Sequence, residues 1–277
     1  MINGRTELIA HLGYPTESFT APMIYNPWFA ARGINAIVVP MGVQSENYPA
    51  FFRPLFRLSN IRGALVTMPH KVTTAALLDE AAVAVQIAGA CNAVLRRPDG
   101  SLYGELFDGV GFVRAAKCKG FDFSGADCLI VGTGGVGSAI AAAIAAEAPG
   151  SLALFDINAA SSARLASRLS RHFPGLAVRL GDNDPVGYRL VVNATPLGMA
   201  ADDPLPFDPA RLDAHALVGD VVLTAQPTPL LAQTAQRGCR CLIGTDMLFE
   251  QIPAYLEFFG YGTAAPEELR AAARIAY

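Results

Sequence analysis

Two groups of residues in this chain have the types and spacing to do chemistry. One centres on Lys71, which closes the stretch from Arg62, "RGALVTMPHK". Ala64, Leu65, Val66 and Thr67 read as a buried strand, Pro69 turns it, and the lysine stands before "VTTAALLDEAA", which reads as a helix. An ammonium group mounted on a proline turn at the end of a strand suits the floor of a cleft. Asp108, in "GELFDGVG", opens another helix where the texture of the chain changes, near an expected domain boundary. If Lys71 and Asp108 face one cleft, they can exchange and orient the proton of a reacting hydroxyl, a contribution of about 10²–10⁴ in rate. Burial lowers the pKa of such a lysine towards the working range, and a neighbouring carboxylate raises it. Spacing alone leaves plain alternatives open: a surface lysine in a first helical turn, and an aspartate serving as an ordinary N-cap.

The other group is glycine-rich. Gly132, Gly134 and Gly137 stand in G-x-G-x-x-G spacing around Thr133, Gly135 and Val136. That pattern alone is weak, but here it leaves an apolar run, "ADCLIVG", and opens an alanine-rich helix, which makes it specific. The first glycine permits the tight turn, the second lets backbone approach a pyrophosphate, and the third lets helix and strand pack closely. The phosphates then meet free N–H groups at the helix N-terminus. Asp156 follows Gly137 by 19 residues, about where a carboxylate accepts from both ribose hydroxyls of NAD and repels the 2′-phosphate of NADP. No arginine adjoins it; its neighbours are Ile157 and Asn158. NAD is therefore the expected cofactor, with NADP second. The alternatives are a glycine turn packing an ordinary helix, and an aspartate that only caps the next helix. In "VVNATPLGM", Asn193, Ala194 and Thr195 follow a buried run and can approach the nicotinamide; equally, Asn193 can bond its own backbone.

These groups need a scaffold. Strand-like runs at 7–13, 34–43 and 62–69 alternate with helix-like runs at 21–33 and 45–60, the latter with Ser45 as N-cap. "ACNAVLRR" and "SLYGEL" flank Pro98-Asp99-Gly100 and predict a hairpin. Strands joined through helices argue for a mainly parallel sheet with an antiparallel edge. After Asp108 come runs of the same kind: a helix from 108, strands at 126–132 and 151–156, a helix at 160–173, then strands in "YRLVVNATPLGM", "ALVGDVVL" and "CRCLIG". An amphipathic segment, 246–260, has no sheet of its own to cover and is expected to return to the first domain. The fold expected is α/β in two parts: a substrate and catalytic domain with a mixed sheet over 1–109, joined by 246–277, and a Rossmann dinucleotide domain over 110–245.

Composition narrows the partners. With 277 residues, 52% of them hydrophobic and 16% charged, the chain can bury a large core. A net charge of −3 without basic runs argues against nucleic acid. The longest apolar helical stretch falls far short of the roughly 20 residues a membrane span needs. No signal peptide is visible at the N-terminus, and five cysteines without metal spacing fit a reduced, cytoplasmic protein. Cys239 and Cys241 are expected on one face of a strand.

Seven segments, "VTMPHK", "AGACNAV", "GELFDGVG", "VGTGGVGSA", "VNATPLGM", "QPTPLL" and "GTDMLFEQ", occur in one order and spacing, and over essentially its whole length the chain resembles the shikimate dehydrogenase family. The resemblance implies reversible NAD- or NADP-dependent oxidation of a ring hydroxyl of shikimate, quinate or a relative, a place in aromatic amino acid biosynthesis, and a monomer or homodimer. It implies Lys71 and Asp108 as catalytic, Thr67, Asn92 and Gln251 as substrate contacts, and Gly244 and Met247 beside the dinucleotide. The chain also departs from the family. Phe19 and Ala21 stand at the positions of two serines that hold the substrate carboxylate, Phe107 replaces a threonine, Leu65 an asparagine, and Leu223 a pocket tyrosine. Those positions predict altered recognition, as in a quinate- or aminoshikimate-like branch. His70, next to the lysine, has two readings: a new substrate ligand or, the commoner case, simply a polar rim residue. Two other outcomes are a sensing module that kept the fold without turnover, and a dehydrogenase of another small metabolite.

Overall fold

A computed structural model of the protein describes residues 2–200, 202–223 and 227–275. The chain divides into two units, 1–107 with 252–277 and 108–251. In the first run β1 (Glu7–Gly13), α1 (Ala21–Ala31), β2 (Ala36–Gly42), α2 (Tyr48–Leu55), β3 (Ile61–Val66), α3 (Lys71–Ala75), β4 (Glu80–Ala81), α4 (Val83–Ala88), β5 (Ala93–Arg96) and β6 (Leu102–Glu105). The second holds α5 (Asp108–Cys118), β7 (Asp127–Val131), α6 (Gly135–Ala146), β8 (Ser151–Phe155), α7 (Ala159–His172), β9 (Ala177–Leu180), β10 (Leu190–Asn193), β11 (Leu217–Asp220), α8 (Pro229–Gln236) and β12 (Arg240–Leu242). Helix α9 (Gly244–Phe259) starts in the second unit and ends in the first, followed there by α10 (Pro266–Ala272).

The first sheet has the order β2-β1-β3-β5-β6-β4. Strand β1 pairs parallel with β2 and β3, whereas β3–β5 and β5–β6 are antiparallel, the second being the expected hairpin. The end of α9 belongs to this unit: Arg62 Nε donates to the Phe259 carbonyl, and the Tyr261 hydroxyl donates to Glu7. Both bonds tie the C-terminal segment to β1 and β3 of this unit.

Two helices are shorter than their sequence pattern. Over 45–60 only Tyr48–Leu55 is α-helical, with Asn47 rather than Ser45 at the N-cap. Phe56, Arg57 and Leu58 bond back three residues instead of four, which tightens the end into turns. The run after Lys71 stops at Ala75, because the Asp79 carboxylate accepts from Leu102 N–H and from Arg53. That anchor pulls the next residues into β4, parallel to β6. Strand β9 and helices α4, α8 and α10 were not anticipated, and Gln226 of "QPTPLL" lies outside the described residues.

The second sheet runs β12-β11-β10-β7-β8-β9, all parallel. From its other edge this is the doubly wound order 3-2-1-4-5-6, which reverses between β7 and β10 and opens a crevice at their carboxyl ends. Both strands are fully buried apart from Asp127, as expected for a sheet covered on both faces. Cys239 and Cys241 pack with the same core cluster as Leu230, Leu231 and Val218. No helix among the described residues is long and apolar enough to cross a membrane.

Candidate active site

In the second unit the crevice is lined by the glycine loop after β7 and the loop after β10. Gly132 has φ +97, a left-handed conformation that favours glycine. A Cβ on Gly137 would overlap the Gly132 carbonyl, so helix and turn are in direct contact there. Gly134 is different: it has φ −69, and a Cβ there would meet nothing within 4 Å. It caps α6 without a side-chain hydrogen bond, which leaves the N–H groups of the first turn facing open space. Gly135 has the same clearance, Val136 is half-buried and Thr133 is buried.

Asp156 follows the end of β8 and braces this loop. Its Oδ2 accepts from Thr133 N–H (2.7 Å) and Oγ1 (3.0 Å), and its Oδ1 from Asn158 N–H (2.8 Å). Burial acts to raise its pKa, but these donors outweigh it and hold the carboxyl below the usual range. Ile157 beside it is exposed. An open glycine cradle, uncapped N–H groups and an ionised carboxylate at the neighbouring strand end fit a dinucleotide.

The loop after β10 resolves the alternative left open for Asn193. Its side chain is buried, donates to Leu197 O and Asp220 Oδ1 (both 3.0 Å), and accepts from Thr195 N–H and Oγ1 (3.1 and 2.6 Å). With its side-chain amide spent in this way, Asn193 shapes the loop. Ala194 and Thr195 remain half-buried on the loop. Asp220, at the end of β11, was not singled out from sequence. It is fully buried, and it also accepts from Val222 N–H and Thr228 Oγ1 (3.1 and 2.7 Å). Burial raises its pKa. Thr228 in turn accepts from Leu231 N–H as the N-cap of α8, so one carboxylate ties together the ends of β10, β11 and α8. An aspartate ending an apolar strand was the available signal.

Asp108 is buried as the first residue of α5, where the helix dipole favours a carboxylate. Gly111, one turn further, lies against α9: a Cβ there would come 2.5 Å from Met247 O and 2.7 Å from Gln251 Cβ. Met247 and Gln251 are thus held beside α5. Gln251 is buried, and its Oε1 meets no hydrogen-bond partner. Gly244 starts α9, buried against Val221, Val222 and Leu223.

In the first unit β3 ends at Val66, and Thr67 donates its N–H to Leu12 O and accepts at its carbonyl from His70 N–H. This turn, which includes a cis Met68–Pro69 bond, delivers Lys71 as the first residue of α3, half-buried. The Lys71 carbonyl accepts from Cys91 N–H (2.9 Å), which places the lysine beside the segment carrying Asn92. Burial pushes the Cys91 thiol up to about 12, so it stays protonated. Asn92 is buried; its Oδ1 accepts from Phe107 N–H (3.0 Å) and its Nδ2 has no partner. Phe107 is buried in edge contact with Tyr255 and Phe258 of α9. Phe19 and Ala21 are half-buried at the start of α1. His70 is not a rim residue: it is buried, stacked on Tyr48 at 3.8 Å, with Nε2 2.7 Å from Val43 O.

Thr67, Lys71 and Asn92 are therefore brought together by one turn and its neighbour strand, and the dinucleotide residues by one sheet edge. Residues 12–94 match the Shikimate dehydrogenase substrate binding domain. Shikimate dehydrogenase (NADP(+)) of Rubrobacter xylanophilus is 36% identical over 259 residues, covering 90% of this chain and 89% of that one. Shikimate 5-dehydrogenase of Listeria monocytogenes, solved with shikimate and NAD, superposes with a TM-score of 0.90 at 25% identity, over 98% of this chain and 97% of that one. Quinate dehydrogenase of Corynebacterium glutamicum, solved with NAD, gives 0.86 at 25% identity over 96% and 98%. The chain, with an α/β substrate domain and a Rossmann domain, belongs to the shikimate dehydrogenase family of NAD(P)-dependent oxidoreductases.

Proposed function

We propose that this family member reversibly oxidises a ring hydroxyl of shikimate, quinate or a related cyclic alcohol, preferring NAD to NADP. The observation that carries the substrate reading is the pair of unpartnered buried amide atoms, Asn92 Nδ2 and Gln251 Oε1. Both residues are substrate contacts in the family pattern, and each presents a group whose burial is costly until a ligand pairs with it. A hydroxyl supplies both a donor and an acceptor, and so matches a ring bearing several of them.

A dinucleotide held by the Gly132–Gly137 loop and Asp156 would supply hydride exchange at the ring carbon. Lys71 takes the hydroxyl proton on oxidation and returns it on reduction, while Asp108 orients and polarises that hydroxyl. Thr67 and Asn92 hold neighbouring hydroxyls. The preference for NAD is supported by the ionised Asp156 and by the absence of arginine among its sequence neighbours. The relative from R. xylanophilus carries NADP(+) in its name, so the proposed preference would set this chain apart from it. The same reading makes the protein a cytoplasmic enzyme, monomeric or homodimeric, with the substrate domain in the unit 1–107 with 252–277 and the dinucleotide domain in the unit 108–251.

Absorbance at 340 nm with NAD or NADP, against shikimate, quinate and related cyclitols, tests the activity. Lys71→Ala should keep dinucleotide affinity and lose turnover by about 10²-fold or more. Unchanged kcat in that variant refutes the assignment.

A further inference from the structure

His11 lies in the middle of β1, in an otherwise apolar run, and the mechanism does not use it. It is only 9% exposed, and its Nδ1 is buried without a hydrogen-bond partner. The residues in register with it are Pro40 on β2 and Leu65 on β3, neither of which carries a polar side chain. Its ring lies against Phe19, with centroids 4.1 Å apart at 30°. Phe19 in turn converges with Thr67 over Gly13: a Cβ on that glycine would lie 2.5 Å from Thr67 Cγ2 and 2.6 Å from Phe19 Cζ. His11, Phe19 and Thr67 thus form one contiguous patch at the carboxyl ends of β1 and β3.

A leucine or valine would fill this place in the sheet without leaving a nitrogen unpaired, and an orphaned buried nitrogen costs stability. The imidazole is accounted for if a ligand supplies its partner. We propose that His11 is a specificity-determining residue, whose imidazole hydrogen-bonds an uncharged hydroxyl or carbonyl oxygen of the cyclic substrate at the Phe19–Thr67 patch. This rests on the reading of the protein as a cyclic-alcohol dehydrogenase and narrows its substrate class to rings that place a neutral oxygen, not a carboxylate, at that corner. Burial holds the imidazole pKa down to about 4, so at neutral pH it presents one donor and one acceptor and no charge. A neutral ring matches a hydroxyl or carbonyl on both counts, and offers a carboxylate no counter-charge against desolvation.

The test uses the full chain with shikimate, quinate and their methyl esters, in which an uncharged carbonyl replaces the carboxylate. Turnover is read at 340 nm, and the ¹⁵N-labelled His11 ring is followed by NMR during titration with each compound. The expected result is a lower KM for an ester than for its acid and a His11 resonance that moves with saturation. His11→Leu should then raise the KM for the ester about tenfold while leaving that for the dinucleotide in place, and His11→Gln, which keeps a donor and an acceptor, should recover part of the loss. A His11→Leu enzyme with unaltered KM for every compound, or a resonance that stays still at saturation, overturns the proposal even if the wild type turns over. A resonance that moves without turnover keeps His11 as a ligand contact and removes the dehydrogenase reading. Neither turnover nor any shift removes both.

Discussion

The glycine loop after β7 supports a prediction in which fold and ligand separate cleanly. At Gly134 the backbone has φ −69 and ψ −164, and a Cβ would find nothing within 4 Å. Gly134→Ala is therefore compatible with the native backbone, and by restricting the unfolded chain it should leave stability unchanged or raise it by about 0.4–1 kcal/mol. The added methyl occupies the space a pyrophosphate must approach. Overpacking of this kind costs about 1–3 kcal/mol, or roughly a 5- to 150-fold weaker Kd. Gly137→Ala is the opposite case, because its Cβ would overlap the Gly132 carbonyl, a backbone atom that cannot swing aside. That variant should lose about 1–3 kcal/mol of stability, a fall in Tm of about 2–12 °C for a chain of this size. Calorimetric titration with NAD and thermal unfolding of the two variants measure both quantities. Wild-type NAD affinity in a fully folded Gly134→Ala protein would refute the reading of this loop as the phosphate site.

Asp156→Asn keeps the acceptor towards Thr133 but removes the charge, so the NAD-to-NADP ratio of kcat/KM should shift towards NADP by about tenfold; an unmoved ratio contradicts the ribose assignment. Asp220→Ala strands the Thr228 hydroxyl, the Val222 N–H and the Asn193 amide, and should cost about 2–4 kcal/mol in urea unfolding. A loss below about 1 kcal/mol would show that these groups re-pair without it. The His11 pKa falls from 6.5 unfolded to about 4 folded, so only the unfolded state is protonated between those values. Stability from this group is therefore intact above about pH 6.5 and lost as pH falls towards about 4, by about 3 kcal/mol in all. His11→Leu should flatten that part of the stability profile, and an equally steep acid limb in the variant would exclude His11 as its source.

Much of the architecture was legible in the sequence because it rests on local patterns. The apolar runs 7–13, 127–131 and 151–155 are strands, and the strand–glycine–helix order sets a tight turn locally: glycine suits φ +97 at Gly132 and the close approach at Gly137. The position of Lys71 after a proline turn is equally local. What sequence periodicity missed depends on partners far along the chain. The helix predicted beyond Ala75 ends because Asp79 finds Leu102 and Arg53, and Asn193 becomes a loop brace because Asp220 reaches it from 27 residues away. His70 reads as a rim residue until Tyr48 stacks on it. His11 is an isolated polar residue in an apolar strand until Phe19 closes on one side of its ring and no partner arrives for its nitrogen. Residue type and spacing thus determined most of the strands, the glycine turn after β7 and the place of Lys71 after its proline turn. Tertiary structure alone decided which buried polar groups meet a protein partner and which do not, because hydrogen-bond partnership is a property of distance in space.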